Sequence, residues 1–392
     1  MTDVLIPLNL LRAPDTFGGR TEGTMRRGMP VLRDGHLVGL TDPQGGAARI
    51  VLPQLIEAHC HLDKCHSVHR MGAVGGDLPQ AIATQRADKE HWTEDDLHAR
   101  ASRGMAEARR NGCGLIRTHV DWGDNSSPPL AWSVLGALGA DHGPLQRAAL
   151  TGVLQWIDSA FAKAVAREIA RDNAVLGAFV YDQPGLQAGL SIIFDMAVRH
   201  GLPLDFHVDE GLGDLNGLEA IADTAIATGY EGPILCGHAV SLIDRQGADL
   251  ARIIDKLLAA RIHICALPTT NLYLQGRRDG TPDRRGLTRL RELHDAGVPI
   301  VVGSDNVTDA FCPTGAHDPM SALNLAIYAA HLDPPLAQWL PAITTHAATA
   351  LGADPLHVDG AACDALNLYA ADNMSDVLSG RAAPQPAREA FG

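Results

Sequence analysis

The sequence lacks long apolar runs, an excess of basic residues and a secretion-type N-terminus. No stretch approaches the ~20 apolar residues needed to cross a bilayer, and the first seven residues contain no basic segment before an apolar core. We therefore expect neither secretion nor membrane insertion. The formal net charge of −14 argues against a nucleic-acid partner, because phosphate binding requires a basic face.

Cysteines with the paired spacing of a zinc finger are also absent. An odd number of cysteines cannot all form disulfides within one chain, and their scatter favours a reducing cytoplasm. The seven cysteines occur at positions 60, 65, 113, 236, 265, 312 and 363.

Between residues 51 and 356, short apolar runs alternate with longer segments of helical spacing. Eight strand–helix units in series predict an α/β fold, a (β/α)8 barrel of the TIM type. A doubly wound sheet would not place the polar strand ends around one centre. The predicted strands are residues 51–57, 114–121, 148–156, 175–181, 203–208, 233–239, 262–267 and 299–304. The clearest predicted helices are residues 99–110, 160–171, 186–200, 250–260 and 318–331.

Residues 1–50 and 357–392 differ from the central part in their glycines, prolines and short alternating apolar stretches. The segment 29–39 indicates a hairpin that turns at Asp34-Gly35. Residues 364–370 repeat the alternation. We predict a small β-sandwich subdomain formed by both termini, with the barrel of residues 51–356 inserted in it.

Strand ends in the predicted barrel carry residues that can bind a metal ion. His59 and His61 point to the same side of the first strand, because alternate residues share a face, and both can bind one ion. His207 ends the fifth strand. Asp305 ends the eighth strand, where a buried carboxylate beside a cation stays ionised. This pattern predicts a metallohydrolase.

Two further groups complete the predicted chemistry. Glu210, just beyond the histidine of the fifth strand, can move a proton from a metal-bound water to a substrate nitrogen. His238 ends the sixth strand and can ligate the metal or hydrogen-bond a developing oxyanion; we favour the second role. The fourth strand, residues 175–181, has no lysine to bridge two metals, and we interpret Lys64 as a loop charge paired with Asp63. We therefore predict one divalent ion.

Six short motifs lie at strand ends or in the loops beyond them: HCHLD (59–63), RTHVD (117–121), HVDE (207–210), LQGRRD (274–279), RRGLTR (284–289) and SDNVTD (304–309). With these motifs, residues 50–350 resemble the amidohydrolase superfamily, and within it the cytosine deaminase-like branch. The resemblance implies one Fe²⁺ or Zn²⁺, bound by His59, His61, His207 and Asp305. It also implies that Glu210 and His238 shuttle protons, that Asp305 orients the water, and that Gln155 contacts a substrate carbonyl or ring N–H.

Some positions differ from the cytosine deaminase pattern. Asn306 stands where those enzymes have a second aspartate, and Phe311 stands where they usually have tryptophan. Gln155 lies in VLQWI rather than in Pro-Gln-Glu-Gly. A change from carboxylate to amide alters which ring nitrogens can be satisfied, so cytosine itself is in doubt. We assign Gln155, Asn306, Phe311 and Trp156 to substrate binding, with the two aromatic residues as an apolar wall.

The resemblance implies hydrolytic deamination of a small nitrogen heterocycle, such as a cytosine, isocytosine or creatinine ring. Metal-bound hydroxide would attack, with Glu210 as the proton shuttle. Removal of an alkylamine from an N-substituted amino-triazine, or opening of a cyclic amide, is an alternative that the motifs do not separate. A catalytically silent barrel that binds a metal or a ligand is a third hypothesis. The expected partner is a small heterocycle, without nucleic acid or membrane, and a homo-oligomer is left open.

Overall fold

The N-terminal part of the chain forms five strands. They are β1 (Asp3–Pro7), β2 (Arg20–Glu22), β3 (Met25–Arg33), β4 (His36–Thr41) and β5 (Ala48–Pro53). The computed structural model describes residues 2–72 and 74–391. The turn between β3 and β4 is made by Asp34 and Gly35, with φ values of 50° and 74°. These residue types tolerate the left-handed conformation, and the predicted hairpin is confirmed.

Eight parallel strands form the barrel. They are β6 (Leu55–Cys60), β7 (Cys113–Asp121), β8 (Leu145–Gly152), β9 (Val175–Val180), β10 (Leu204–Val208), β11 (Ile234–His238), β12 (Ile262–Ala266) and β13 (Ile300–Val302). Each strand pairs with the next in chain order. The ring closes through a bridge between Cys60 and Asp305, and the Asp305 N–H donates to the His59 carbonyl at 2.8 Å. The (β/α)8 prediction is confirmed.

Helices lie between the barrel strands and beyond the last of them. They are α1 (Leu78–Asp88), α2 (Glu94–Arg110), α3 (Leu130–His142), α4 (Ser159–Arg171), α5 (Leu186–His200), α6 (Gly217–Thr228), α7 (Gly247–Ala259), α8 (Pro268–Leu274), α9 (Leu290–Asp295), α10 (Pro319–Ala330), α11 (Thr345–Ala350), α12 (Met374–Leu378) and α13 (Ala387–Phe391). On α7, Leu250, Ile253, Ile254 and Leu257 are buried, at the spacing of one helical face. The five predicted helices are all present.

The C-terminal strands complete a second sheet. They are β14 (Leu366–Tyr369) and β15 (Pro384–Pro386). The order in this sheet is β15-β14-β5-β1-β3-β2, with β4 paired to the second half of β3. Both termini therefore build one sheet, separate from the barrel, as the sequence predicts.

Two predicted strands have the wrong bounds. The predicted strand 51–57 contains the end of β5 and the start of β6, which are separated by Gln54. The prediction joined the apolar residues on both sides of this single polar residue. The strand predicted at 148–156 corresponds to β8, which ends at Gly152. The Gly152 N–H donates to Gln155 Oε1 at 2.6 Å, and the chain continues as a 3₁₀ helix, Val153–Ile157.

Short 3₁₀ helices also occur at Leu8–Leu10, Val68–Arg70, Lys89–His91, Val240–Asp244, Leu336–Ile343 and Cys363–Ala365. Within the described residues, no helix combines the length and apolar character that a bilayer span requires. All seven cysteines lie in the described part of the chain, and each is buried and free.

Candidate active site

Three imidazoles and one carboxylate converge where the barrel strands end. The Nε2 atom of His207 lies 3.2 Å from His59 Nε2 and 3.1 Å from His61 Nε2. Asp305 Oδ1 lies 3.6 Å from His59 Nε2 and 3.2 Å from His61 Nε2. All four side chains are buried. The structure thus brings together the four residues that the sequence predicts as ligands.

These separations match a tetrahedral metal site. A divalent ion bound at about 2.0–2.1 Å places neighbouring nitrogen and oxygen donors about 3.3–3.4 Å apart. Both carboxylate oxygens of Asp305 are buried without a hydrogen-bond partner among the described residues. Leaving a buried polar group unpaired is costly, and a cation between these donors would remove that cost.

Burial keeps the imidazoles in the form that binds metals. It lowers the pKa of His59, His61 and His207 well below the usual value, and neighbouring histidines add to the effect. At His61, Lys64 also lowers the pKa, while Asp63 and Asp121 oppose the shift. Burial also raises the pKa of Asp305, a shift that a bound cation would oppose. Three neutral nitrogen donors and one carboxylate fit a divalent cation of the Zn²⁺ or Fe²⁺ type.

The backbone around His59 explains how the donors can approach so closely. His59 and His61 alternate on β6, and Cys60 between them directs its sulfur towards a backbone carbonyl of β7, at 3.4 Å. A Cβ at Gly237 would lie 2.8 Å from His59 Cε1, and one at Gly303 would lie 2.9 Å from the His59 carbonyl oxygen. A larger residue at Gly237 on β11, or at Gly303 just after β13, would therefore collide with His59.

Glu210 and His238 form a pair beside the four donors. Their Oε2 and Nε2 atoms are 3.6 Å apart. The Asn271 amide donates to His238 Nδ1 at 3.1 Å, which places the proton of the neutral ring on Nε2. Burial lowers the pKa of His238 to about 4, whereas burial and the Asp305 charge raise the pKa of Glu210 well above its usual value. The pair offers an N–H donor and a carboxyl group that can carry a proton.

The backbone that carries Glu210 is fixed by its neighbours. Asp209 has a left-handed φ of 49°, and its carboxylate accepts hydrogen bonds from two N–H groups at the start of α6 and from Ser241 Oγ. The Gln275 side chain donates to the Glu210 carbonyl at 3.1 Å. These bonds hold the carboxyl group at one position.

A buried ion pair supports the donors from behind. Arg117 Nη1 donates to Asp205 Oδ2 at 2.9 Å, and Asp205 Oδ1 lies 3.1 Å from His119 Nε2. The His119 ring packs on His59, with 3.9 Å between ring centroids. Asp205 precedes His207 by two residues on β10, and the two side chains therefore share a face. The network reaches the donor cluster through the packing of His119 on His59, which restricts the position of that ring.

A cavity of about 610 Å³ opens next to the cluster, and Gln155, Asn306 and Phe311 line it together with His238 and Glu210. The Asn306 amide nitrogen donates to a buried carboxylate at 2.7 Å, which leaves the amide oxygen as an acceptor. The Gln155 amide nitrogen donates to the loop after β7, at 3.0 and 2.8 Å. Gln155 therefore also holds that loop in place.

Trp156 is not part of the described lining of this cavity. Its side chain is fully buried, its Nε1 donates to Thr151 Oγ1 at 2.7 Å, and its ring packs edge-on against Phe161. Successive residues of a 3₁₀ helix point in different directions, and Trp156 faces the core while Gln155 faces the cavity. Trp156 is therefore a core residue and not one of the proposed substrate-binding residues.

The interpretation of Lys64 as a loop charge paired with Asp63 is wrong. Lys64 is buried, lines the cavity and binds Asp121 Oδ1 at 2.8 Å. Its ammonium group lies 5.3 Å from the centre of the Phe311 ring. Asp63 instead accepts a hydrogen bond from the Asp121 N–H at 3.0 Å, and Asp121 also binds Lys89 at 2.6 Å. The cavity therefore contains a cationic group that the sequence interpretation missed.

Phe179 and Tyr181 also line the cavity and were missed. They are alternate residues where β9 ends, with 4.0 Å between their ring centroids. The aromatic-x-aromatic pattern at a strand end is the signal that could have identified them.

Comparison with known proteins places the chain in a family. The sequence profile described as "Amidohydrolase family" matches residues 71–356. The chain is 33% identical over 341 residues to a pterin deaminase from Rhizobium rhizogenes, covering 84% of this chain and 77% of that protein.

Solved structures resemble the whole chain. A 5-methylcytosine deaminase from Klebsiella pneumoniae, liganded with phosphonocytosine, superposes with a TM-score of 0.77 at 23% identity, covering 98% of this chain and 95% of that one. An N-isopropylammelide isopropylaminohydrolase from Burkholderia multivorans gives 0.70 at 21% identity, covering 99% and 97%. At these identities the likeness establishes the fold.

Proposed function

Because this chain belongs to the amidohydrolase family, we propose that it catalyses the hydrolytic deamination of an amino-substituted nitrogen heterocycle. The observation that carries the proposal is the placement of the Glu210–His238 pair beside four convergent metal donors, at the wall of one cavity. A silent barrel would have no use for a proton-carrying carboxyl group at this position.

In the proposed site, His59, His61, His207 and Asp305 hold the divalent cation. When bound, such a cation lowers the pKa of a coordinated water from about 15.7 towards about 7. The carboxylate of Asp305 accepts a hydrogen bond from the attacking water and fixes its orientation.

Glu210 moves the proton in this scheme. Its carboxyl group is buried at the cavity wall, and burial raises its pKa, which favours its acceptance of a proton. As a carboxylate, Glu210 takes a proton from the attacking water and gives it to a ring nitrogen. It then transfers the proton of the adduct hydroxyl to the amino group, which leaves as ammonia while the carbonyl forms. His238 donates a hydrogen bond from its Nε2–H to the oxygen that gains charge at the attacked carbon, and keeps its proton.

The substrate class that we favour is a pterin. The pterin deaminase relative is 33% identical, and a pterin contains an isocytosine ring, which is among the rings expected from the sequence. A 610 Å³ cavity lies within the range of about 300–1,000 Å³ typical of small-molecule sites and leaves room for a second fused ring. Phe311 offers an aromatic face, and Asn306 and Lys64 offer an acceptor and a donor.

A single-ring amino-pyrimidine is the second candidate, because the Klebsiella structure with the same fold is a 5-methylcytosine deaminase. Loss of an alkylamine from an amino-triazine uses the same groups. The leaving group separates these reactions. We therefore propose an assay of purified protein, loaded with Zn²⁺ or Fe²⁺, against pterin, isocytosine, cytosine, creatinine and an N-alkylamino-triazine, with ammonia and alkylamine measured separately.

The first prediction concerns Glu210→Gln. The amide cannot carry the proton, and we expect turnover to fall about 10²–10⁴-fold with the metal content unchanged. Asp214→Asn is the matched control, since it removes an exposed carboxylate from the same loop. Turnover in Glu210→Gln equal to that of the control would remove Glu210 from the mechanism.

In the substrate assay, ammonia release from cytosine but not from pterin would overturn the substrate proposal and leave the deaminase proposal intact.

A further inference from the structure

Cys65, His66 and His317 form a second cluster of potential donor atoms, separate from the four at the cavity. One atom from each side chain lies within 4.8 Å of the others. We propose that this cluster binds a structural divalent cation, of the zinc type, in addition to the cation of the active site. The proposal goes beyond the deaminase function and does not depend on it.

Two buried nitrogen atoms in the cluster have no hydrogen-bond partner among the described residues. They are His66 Nε2 and His317 Nε2, in residues that are 5% and 0% exposed. The other nitrogen of each ring is engaged: His66 Nδ1 lies 2.7 Å from Thr308 Oγ1, and His317 Nδ1 lies 3.5 Å from Ser304 Oγ. This is the arrangement of metal-binding histidines, in which the outer nitrogen fixes the ring and the inner nitrogen is free to ligate.

Cys65 supplies the sulfur donor. Its thiol is fully buried and lies 3.5 Å from two backbone carbonyl oxygens, those of Leu62 and Arg100. Contacts of this length are weak, and the sulfur is available to a stronger partner. On binding a divalent cation, the thiol loses its proton to solvent and the thiolate becomes the ligand.

Glu107 on α2 offers a fourth donor. Its Oε2 lies 3.6 Å from His66 Nε2 and accepts a hydrogen bond from the backbone N–H of His317 at 3.3 Å. Its side chain is 23% exposed, so it connects the buried cluster with solvent. One thiolate, two imidazoles and one carboxylate are the ligand types that Zn²⁺ prefers.

Gly104 on α2 gives the His317 ring its space. A Cβ at this position would lie 2.9 Å from His317 Nε2 and 3.1 Å from its Cδ2. Any larger residue at this position would therefore crowd the Nε2 atom that is proposed to bind the cation.

The proposed cation would join two segments that carry the active site. Cys65 and His66 follow β6 and lie next to Lys64, whereas His317 ends the segment that begins after β13 with Asp305. We infer that the cation cross-links these segments and fixes the rim of the cavity. Its role is structural, because none of its donors lines the cavity.

Cobalt provides a direct test. The full chain is produced in cells grown with Co²⁺ in place of Zn²⁺, so that a buried site fills during folding. A thiolate bound to Co²⁺ gives a near-ultraviolet charge-transfer absorption, and the four donors at the cavity include no thiol. We expect this absorption in the unmodified protein and about two metal equivalents per chain. Absence of the absorption from folded, cobalt-loaded protein overturns the proposal without any variant.

Variants test whether Cys65 is the thiolate that causes the absorption. Cys65→Ser should lose the absorption and one metal equivalent, whereas Cys113→Ser, which changes another buried cysteine, should keep both. Glu107→Gln changes a partly exposed side chain and should fold normally, and we expect faster loss of one equivalent to a chelator. If the absorption persists in Cys65→Ser, or if Glu107→Gln releases metal at the rate of the unmodified protein, the assignment is wrong.

Discussion

Behind the donor cluster, two oppositely charged side chains are buried together and compensate each other. The Arg117 guanidinium and the Asp205 carboxylate are both fully buried and lie 2.9 Å apart. Taking one charge away leaves the other without compensation in a medium of low polarity, which costs more than the pair contributes when intact. The residues behind the site are therefore less tolerant of substitution than many that face the cavity.

Asp205→Asn tests this at one residue. The variant leaves the Arg117 charge buried and unpaired, and we expect the free energy of unfolding to fall by about 3–5 kcal/mol, measured by urea denaturation. Asp195→Asn is the control, because it breaks an exposed pair with Arg199 on α5 and should change stability little. A similar effect for both variants would contradict a special role for the buried pair.

Asp309 should make stability depend on pH. Burial raises its pKa to about 7, although Asn306 and two backbone N–H groups donate to it. The usual pKa is about 3.9, so the folded state binds this proton more tightly than the unfolded state. The contribution to stability is full below pH ~4 and is lost as pH rises to ~7, at about 1.4 kcal/mol per pH unit at most.

The measurement is the free energy of unfolding from pH 4.5 to 7.5, for the unmodified chain and for Asp309→Asn. We expect the stability of the unmodified chain relative to the variant to decline across this interval. Asp364→Asn, at an exposed position, should give a difference that does not change with pH. A flat difference for Asp309→Asn would mean that its carboxyl group titrates normally.

The sequence is informative for some of these residues and not for others. His59, His61, His207 and Asp305 could be predicted because strand alternation and strand ends are visible as local patterns. Lys64 and Trp156 could not, because the direction of a side chain in a loop or a 3₁₀ helix depends on distant residues. The partner of Lys64 is 57 residues away.

Among the neighbouring strands of the barrel, β6 and β13 share the fewest backbone hydrogen bonds. β13 has three residues, and its contact with β6 includes the bridge between Cys60 and Asp305. Three of the four proposed ligands lie on or just after these two strands. A bound cation therefore reinforces the seam where few backbone hydrogen bonds are formed.

Gly237→Ala tests how strands position the metal donors. The added carbon would meet the His59 ring at 2.8 Å, and we expect displacement of that ring and loss of metal from the active site. Gly177→Ala on β9 is the matched control, since its added carbon would meet a backbone oxygen at 2.7 Å away from the donors. Metal analysis should show a deficit in Gly237→Ala alone, and an equal deficit in both would point to general destabilisation.

The bounds of β5 and β6 show why element prediction stops short. Residues 50–56 read Ile-Val-Leu-Pro-Gln-Leu-Ile, two short apolar pieces on either side of Pro53-Gln54. The first piece belongs to the terminal sheet and the second to the barrel. Only pairing assigns them, since Ile50 lies opposite Tyr369 and Ile56 opposite Leu115. Both partners are far away in the sequence. The Pro53-Gln54 pair marks the break locally, but no local pattern shows which sheet each piece joins.

At the scale of the whole molecule, the proposed active-site cation would join parts of the chain that are distant in sequence. Without it, the Asp305 oxygens are buried and have no hydrogen-bond partner among the described residues. We expect chelation to lower the thermal midpoint and re-addition of Zn²⁺ to restore it. A ligand at 1,000 times its Kd contributes about 4 kcal/mol. In Asp305→Asn, chelation should lower the thermal midpoint by less than in the unmodified chain. An equal decrease in both would mean that the stabilising metal is not bound by Asp305.

The pairing of β5 with β14 has a consequence for synthesis of the chain. Gln54, beside β5, and its hydrogen-bond partner Asp364, beside β14, are 310 positions apart. At about 5–20 residues per second, the edge of β5 waits roughly 15–60 s on the ribosome for the strand that covers it. During this interval the nascent chain presents an open strand edge to other polypeptides, and chaperone binding would be most useful there.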